Sequence, residues 1–202
     1  IEQTSLEADS ISASVKAPGY EPLTVGVDRV EAHLRRAPDA PAGTDIAVTA
    51  RGVRAPVLDT LLNDSAPGSV ELRARLTQFA PAPPRDWRET LETWRRSDGE
   101  ARFERLNLAK GAIALNLAGV LRLDEMRRPE GEISGTAAGA GQLLRMFGIE
   151  MGGGGLLGAL LGGARSGNAA PKALPFSLRM DQGRLFIGPI PGPRLRPLYG
   201  PG

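Results

Sequence analysis

The strongest pattern in the chain is an alternation with a period of two over residues 113–123. Isoleucine, leucine or glycine occupies the odd positions, and the even positions include Asn116, Ala118, Val120 and Arg122. A period of two residues is typical of a β-strand, whose successive side chains point to opposite faces of a sheet. Residues 103–108 form another such segment. Residues 109–111 end in Gly111, which can adopt a positive φ, so they predict the turn of a β-hairpin.

Shorter alternating segments recur along the whole chain. They occupy residues 11–15, 23–34, 46–50, 70–76, 133–137, 176–180 and 185–187. In the second of these the alternation slips by one position across Asp28 and Arg29, which is typical of a bulged strand. Residues 181–184 predict a tight hairpin turn, and residues 191–202 are too rich in proline and glycine to predict regular structure. These segments together predict a curved, mostly antiparallel sheet.

Helical patterns are fewer. Over residues 86–97, Asp86 and Glu89 have the spacing of a capping box, and Trp87, Leu91 and Trp94 fall on one face. We expect this helix to lie across the sheet with both tryptophans inward, in the core rather than stacked on a ligand. A second helix is predicted over residues 139–147, and residues 57–62 are long enough for a single helical turn. The predicted fold class is therefore α+β, with two or three short helices packed on or closing one side of the sheet.

The predicted organisation is one continuous domain with two regions. Residues 1–80 form an N-terminal β-strand region, which we expect to be part of a longer sheet truncated at its N-terminus. Residues 81–202 form a C-terminal region of β-hairpins and helices. A chain of 202 residues can bury a sizeable core. Because only 4% of the residues are aromatic, that core must be mainly aliphatic.

The charge pattern does not favour a nucleic-acid partner. The formal net charge is only +2, because aspartates and glutamates nearly balance the many arginines. The arginines are scattered along the chain, many of them within two positions of an acidic residue. This is typical of solvated strand faces, and a weak attraction to anionic headgroups is the alternative.

Few residues suggest catalysis. His33 is the only histidine and the chain has no cysteine, so no metal site of the histidine or cysteine type can be assembled. The alternation places His33 on an exposed face. Asp124 and Asp181 lie in predicted turns, where aspartate is expected for its hydrogen bonds to the backbone. We therefore predict no catalytic residue, no metal, no cofactor and no enzymatic activity.

A glycine-rich apolar segment follows the second predicted helix. Residues 152–155 are all glycine, but no Gly-Lys-Ser/Thr follows them, so they do not form a phosphate-binding loop. Leucines 156, 157, 160 and 161 then form a single helical stripe. Two interpretations remain open, a linker with a buried turn and an adaptable flap that touches lipid or a hydrophobic partner. The second makes candidate ligand-binding residues of Leu156, Leu157, Leu160, Leu161 and Phe147.

Two motifs resemble known bacterial proteins. The first motif is the run Leu115-x-Leu117-x-Gly119-x-Leu121-x-Leu123-Asp124, continued by Arg128-Pro129, Gly131 and Ile133 and by Leu143-Leu144 and Phe147-Gly148. This motif resembles the strand-turn-strand-helix unit of AsmA-like envelope proteins. A closing motif is similar to the C-terminal signature of the bacterial family called domain of unknown function 2125. It comprises Pro175-Phe176-Ser177-Leu178, Asp181, Gly183-Arg184-Leu185, Gly188-Pro189 and Pro197-Leu198. The resemblance covers residues 84–202, and the first 80 residues add a compatible strand pattern.

The resemblance implies a periplasmic protein held to the inner membrane by an N-terminal anchor that this chain lacks. AsmA-like proteins are associated with outer-membrane biogenesis and lipid handling through apolar grooves. We therefore expect a non-enzymatic envelope module that binds a lipid or other apolar ligand, or docks on a lipid-handling envelope protein, on a concave sheet face. The alternatives are a scaffold protein with a self-sealed core and, third, a hydrolase that uses the turn carboxylates Asp124 or Asp181.

Overall fold

A computed structural model describes residues 3–15, 23–40, 42–79, 86–139 and 173–200. These residues contain ten strands and two short helices. In chain order the elements are β1 (Gln3–Val15), β2 (Leu23–Arg36), β3 (Thr44–Val53), α1 (Pro56–Leu62), β4 (Gly68–Leu76), α2 (Trp87–Arg96), β5 (Ala101–Lys110), β6 (Ile113–Leu123), β7 (Pro129–Ala138), β8 (Leu174–Asp181), β9 (Arg184–Ile187) and β10 (Ile190–Arg194).

All ten strands form a single sheet in which the spatial order equals the order along the chain. Each strand pairs with the next in the antiparallel sense. The α+β prediction is therefore wrong, because the described part of the chain is nearly all antiparallel sheet. Its helices have only 7 and 10 residues, too few to form a second layer over ten strands. Most of the predicted helix over residues 139–147 lies outside the described residues.

Residues 86–97 contain a helix, α2, as predicted, but only one of its two tryptophans is buried. The Asp86 carboxylate caps its N-terminus by accepting a hydrogen bond from the Arg88 backbone N–H at 2.9 Å. Trp94 is buried, and its indole N–H donates to the Thr77 carbonyl oxygen at 2.8 Å. Trp87 does not point inward, since 53% of it is exposed. Trp87 lies on the first turn of α2, and it packs edge-on against the ring of Tyr199, 6.1 Å away between centroids.

The turns follow the predicted chemistry closely. Gly111, between β5 and β6, has φ +55°, and Gln182 and Gly183, between β8 and β9, have φ +48° and +73°. Two consecutive positive φ values characterise the type I′ turn, whose twist matches that of the flanking strands. The prediction of an irregular C-terminus from residue 191 is wrong in part. Strand β10 extends to Arg194, because an edge strand tolerates prolines whose missing N–H faces away from the sheet.

The predicted irregularity at Asp28 is visible in the pairing of β1 with β2. Asp9 pairs with Arg29 and Ile11 with Val27, and the ladder skips Ser10 and Asp28 between them. Ser10 has φ +56°. The register is the same on both sides of this point, so no extra residue is inserted as a bulge would require. The apolar positions of β2 change from odd to even numbers here.

A hydrophobic cluster of buried residues lies near the C-terminal edge of the sheet. Leu185 and Ile187 of β9 are buried there, and partly buried hydrophobic residues of the neighbouring segments pack against them. These neighbours are Phe176, Leu178, Met180, Ile190 and Leu195. None of the helices in the described ranges has the length and apolar character needed to cross a membrane.

Candidate functional site: the apolar face of the sheet

The strand registers collect the apolar side chains on one face of the sheet. Residues that stand directly opposite each other in a ladder point to the same face. One row of directly opposed residues crosses eight strands and consists of Leu6, Ala32, Val48, Leu72, Leu106, Leu117, Gly135 and Phe176. With neighbouring strands about 4.8 Å apart, this row is roughly 34 Å long.

Two further rows run beside the first. One consists of Ala8, Val30, Ala50, Val70, Leu108, Leu115, Ala137 and Leu174. The other begins at Leu34 on β2 and continues through Ile46, Ala74, Phe103, Gly119, Ile133, Leu178 and Ile187 to Ile190 on β10. We call the surface formed by these three rows the apolar face. A bulge in β5 at Glu104 and Arg105 keeps Phe103 and Leu106 on that same face.

The burial of the apolar face changes along the sheet. Leu6 on β1 is 58% exposed, whereas Leu117 on β6 is 4% exposed and Ile187 on β9 is 3% exposed. The apolar-face residues of β2, such as Leu34, are half-buried. Within the described ranges every strand belongs to this one sheet, so no second sheet covers the apolar face there. The face is therefore well covered towards its C-terminal strands and open towards its N-terminal edge.

The opposite face of the sheet is charged, and we call it the charged face. Arg35, Asp45 and Arg75 stand side by side on β2, β3 and β4. The Asp45 carboxylate lies 3.1 Å from the Arg35 guanidinium and 2.7 Å from that of Arg75. The hydrogen bond from Arg75 lowers the pKa of Asp45 below its ordinary value. Similar pairs join β4 to β5 and β6 to β7, so these charges neutralise one another.

Glycines line a groove where β6 meets β7. Gly119 and Gly131 have φ +156° and +132°, and a Cβ atom at Gly119 would lie 2.1 Å from the Glu132 carbonyl oxygen. The two backbones therefore approach too closely for any other residue. The groove has a volume of about 570 Å³, and its walls also include Val120 and Arg179.

Glu92 on α2 is the centre of a polar cluster at the α2 end of the sheet. Its carboxylate accepts hydrogen bonds from the guanidinium groups of Arg95, Arg96 and Arg127 and from the Tyr199 hydroxyl. These hydrogen bonds, that of Arg95 above all, hold the pKa of Glu92 well below its ordinary value. Burial raises the pKa of Tyr199, and its hydrogen bond to Glu92 adds to the effect. The cluster thus connects α2 to the β6–β7 turn and to the C-terminal residues, a role that suits structure better than catalysis.

The helical spacing of four residues relates Glu92 to Arg96, but no sequence pattern relates Glu92 to Arg127 or Tyr199. Tyr199 is separated from Glu92 by 107 positions. No pattern within one sequence can indicate such a contact, because helical spacing relates only residues a turn apart.

The predicted ligand-binding residues Leu156, Leu157, Leu160, Leu161 and Phe147 lie outside the described residues. The structure thus neither brings them together nor separates them, and their role stays a prediction.

The residues considered for catalysis are described. Asp124 accepts hydrogen bonds from the Arg128 backbone N–H at 2.8 Å and from its guanidinium at 2.7 Å. Asp181 lies 3.6 Å from Arg179. His33 is exposed, and its Nδ1 lies 2.9 Å from the Ser5 hydroxyl. In the part of the chain that the structure describes, no cluster of three or more histidine, aspartate or glutamate side chains is suited to hold a metal ion.

Comparison with known proteins gives a family but no function. The model of a family described as "Uncharacterized protein conserved in bacteria (DUF2125)" matches residues 1–194. No curated protein and no solved structure matches the chain.

Proposed function

The chain belongs to the DUF2125 family of bacterial proteins, and from that premise we propose that it is a non-enzymatic module whose apolar face binds a lipid acyl chain or another extended apolar ligand. A single observation carries this proposal. The apolar face runs across the whole sheet, and it is open at its N-terminal edge, where Leu6 is 58% exposed. Exposed contiguous apolar surface is rare in soluble proteins unless something binds to it.

The shape of the apolar face favours an elongated ligand. Its rows cross the strands at right angles and are roughly 34 Å long. Apolar contact surface stabilises a bound chain by about 25 cal/mol for each Å² that is removed from water. The aliphatic side chains Leu34, Val48 and Leu72 offer such a surface because they are only half-buried.

The cellular setting is part of the same proposal. AsmA-like character, a periplasmic location and an inner-membrane anchor upstream of this chain all rest on the resemblance of the sequence motifs. They are consistent with a ligand that moves between membranes. An envelope protein that handles lipid is the partner we propose for such a module.

A scaffold with a self-sealed core is the second candidate, and the burial of the C-terminal strands favours it. Ile133 is 5% exposed and Ala137 is 1% exposed, so no ligand is needed to cover that part of the apolar face. The two candidates differ at the N-terminal edge, which only a ligand-binding module would use.

A fluorescent fatty acid tests the proposal directly. The substitution Leu6→Asp replaces an exposed residue of the apolar face by a charge. We expect it to weaken fatty-acid binding about fivefold, because roughly 1 kcal/mol of apolar contact is lost. Val120→Asp is the matched control, since Val120 is 39% exposed and lies on the charged face.

Each result of this comparison is decisive. The proposal predicts saturable binding that Leu6→Asp weakens and Val120→Asp changes by less than about twofold. Native mass spectrometry of the purified chain should also detect co-purified lipid. A chain that binds no fatty acid and carries no lipid would instead favour the scaffold.

A further inference from the structure

The two edges of the sheet differ in their capacity to accept another strand. Strand β10 has 5 residues, and Pro191 and Pro193 are among them. Proline and short length are common devices that prevent an edge strand from pairing with another chain. Strand β1 has 13 residues and contains neither proline nor lysine. Its outer edge therefore presents a row of backbone donors and acceptors without such protection over residues 3–9, before the irregularity at Ser10.

The side chains of β1 also continue both faces of the sheet. Leu6 and Ala8 lie on the apolar face, opposite Ala32 and Val30 of β2. Glu7 and Asp9 lie on the charged face, where 58% of the Glu7 side chain is exposed. A strand added beside β1 would thus extend the apolar face on one side and meet carboxylates on the other.

The charges at this edge are unbalanced. Arg29 of β2 forms ion pairs with both Glu7 and Glu31, and it stands opposite Asp9. Arg51 of β3 stands opposite Arg29, so two guanidinium groups face three carboxylates at this edge. Further into the sheet the charges balance, because Arg35 and Arg75 pair with Asp45 and Arg75 also pairs with Asp39. Opposite charges across neighbouring strands stabilise a sheet and like charges destabilise it, so this edge favours basic residues on an incoming strand.

We propose that the outer edge of β1 binds an extended peptide strand in which basic residues alternate with apolar ones. Backbone hydrogen bonds to β1 supply the affinity, and the alternation supplies the specificity. The basic side chains lie beside Glu7 and Asp9, and the apolar side chains lie beside Leu6 and Ala8. This surface is the edge of the sheet, so its function does not depend on whether the apolar face binds lipid.

A second copy of the chain fits the edge less well. Antiparallel pairing of two β1 strands about Ala8 would place Glu7 of one copy opposite Asp9 of the other. Like charges in directly opposed positions are destabilising. The free chain is therefore expected to be monomeric in light scattering. A dimer that the peptide dissociates would overturn the proposal, because the edge would then belong to a second copy.

The first test uses a fluorescein-labelled peptide of seven residues, alternating arginine and valine and blocked at both ends. Fluorescence polarisation with the 202-residue chain should show saturable binding. The double substitution Glu7→Lys, Asp9→Lys should weaken it about tenfold, because two attractive contacts become repulsive. The control Glu104→Lys, Glu132→Lys makes the same change of charge on the interior strands β5 and β7. Equal weakening by both variants would overturn the proposal, since it would show only general attraction between opposite charges.

The second test uses the unaltered chain and so does not depend on the folding of a variant. Two versions of the peptide carry N-methyl groups on alternate amides, one set in each version. In an edge strand only every other N–H donates to the neighbouring strand. One version should therefore lose binding, and the other should retain it within about threefold. Equal loss or equal retention would contradict strand addition.

Discussion

The change in burial along the apolar face predicts unequal costs for the same substitution at its two ends. Leu117 is 4% exposed in the middle of β6, where it stands opposite Leu106 and Gly135. Leu117→Ala removes buried methyl groups and leaves a cavity, which should cost about 2–5 kcal/mol of unfolding free energy. Leu6 is 58% exposed. Leu6→Ala therefore loses less than half of the apolar transfer energy and creates no cavity, so its cost should be less than about 1 kcal/mol.

Urea denaturation of the delipidated chain measures both costs. Trp94 is 8% exposed, so its fluorescence reports tertiary unfolding while far-ultraviolet circular dichroism reports the sheet. Coincident transitions would justify a two-state analysis. With a slope of about 1–3 kcal/mol per molar urea, Leu117→Ala should lower the midpoint by about 0.7 M or more. If Leu6→Ala lowered the midpoint as much as Leu117→Ala, the N-terminal edge would be covered, and the reasoning behind a ligand there would be refuted.

Two further predictions concern the framework around the apolar face. Gly119→Ala should destabilise the chain by about 1–3 kcal/mol or more, because its Cβ would lie 2.1 Å from a backbone oxygen. Gly188 also has a positive φ, but no atom lies near the position of its Cβ. In the same urea assay Gly188→Ala should therefore cost only about 1 kcal/mol of unfolding free energy. Equal costs for Gly119→Ala and Gly188→Ala would contradict the steric argument. Because the pKa of Glu92 is lowered in the folded chain, its contribution to stability is complete above the ordinary carboxyl pKa and is lost as the pH falls through the lowered value. The melting temperature of Glu92→Gln should therefore lie below that of the unaltered chain at about pH 7, and the difference between the two melting temperatures should be smaller at about pH 3. A difference that stays constant with pH would show that Glu92 is not ionised in a stabilising contact.

Much of the local structure was predictable because its causes are local. The alternation of residues 113–123 predicts β6 as the structure has it, since the period of two reflects a backbone whose side chains alternate between faces. Gly111 and Gly183 identify two hairpin turns through their tolerance of positive φ. Asp86 likewise identifies the start of α2 through its hydrogen bond to the first turn.

The fold class was not predictable from these signals. A helical pattern of 10 residues is equally visible whether the helix forms a layer of the core or only connects two strands. Within the predicted N-terminal strand region, the alternation marks only the last five residues of β1 and not its first eight. Their apolar signal is weak, because an edge strand such as β1 can leave Leu6 largely exposed.

Local sequence patterns therefore identify most of the strands, two hairpin turns and α2, and they place an aliphatic surface on one side of most strands. Contacts between distant segments decide that the ten described strands join in one sheet, that their apolar sides form a continuous face, and that this face is covered at β9 but open at β1. The difference lies in the range of the interactions. Backbone conformation and side-chain alternation depend on neighbours within a few residues, whereas burial and strand registry depend on contacts between distant segments. The contact of Glu92 with Tyr199, across 107 positions, is an example of the second kind.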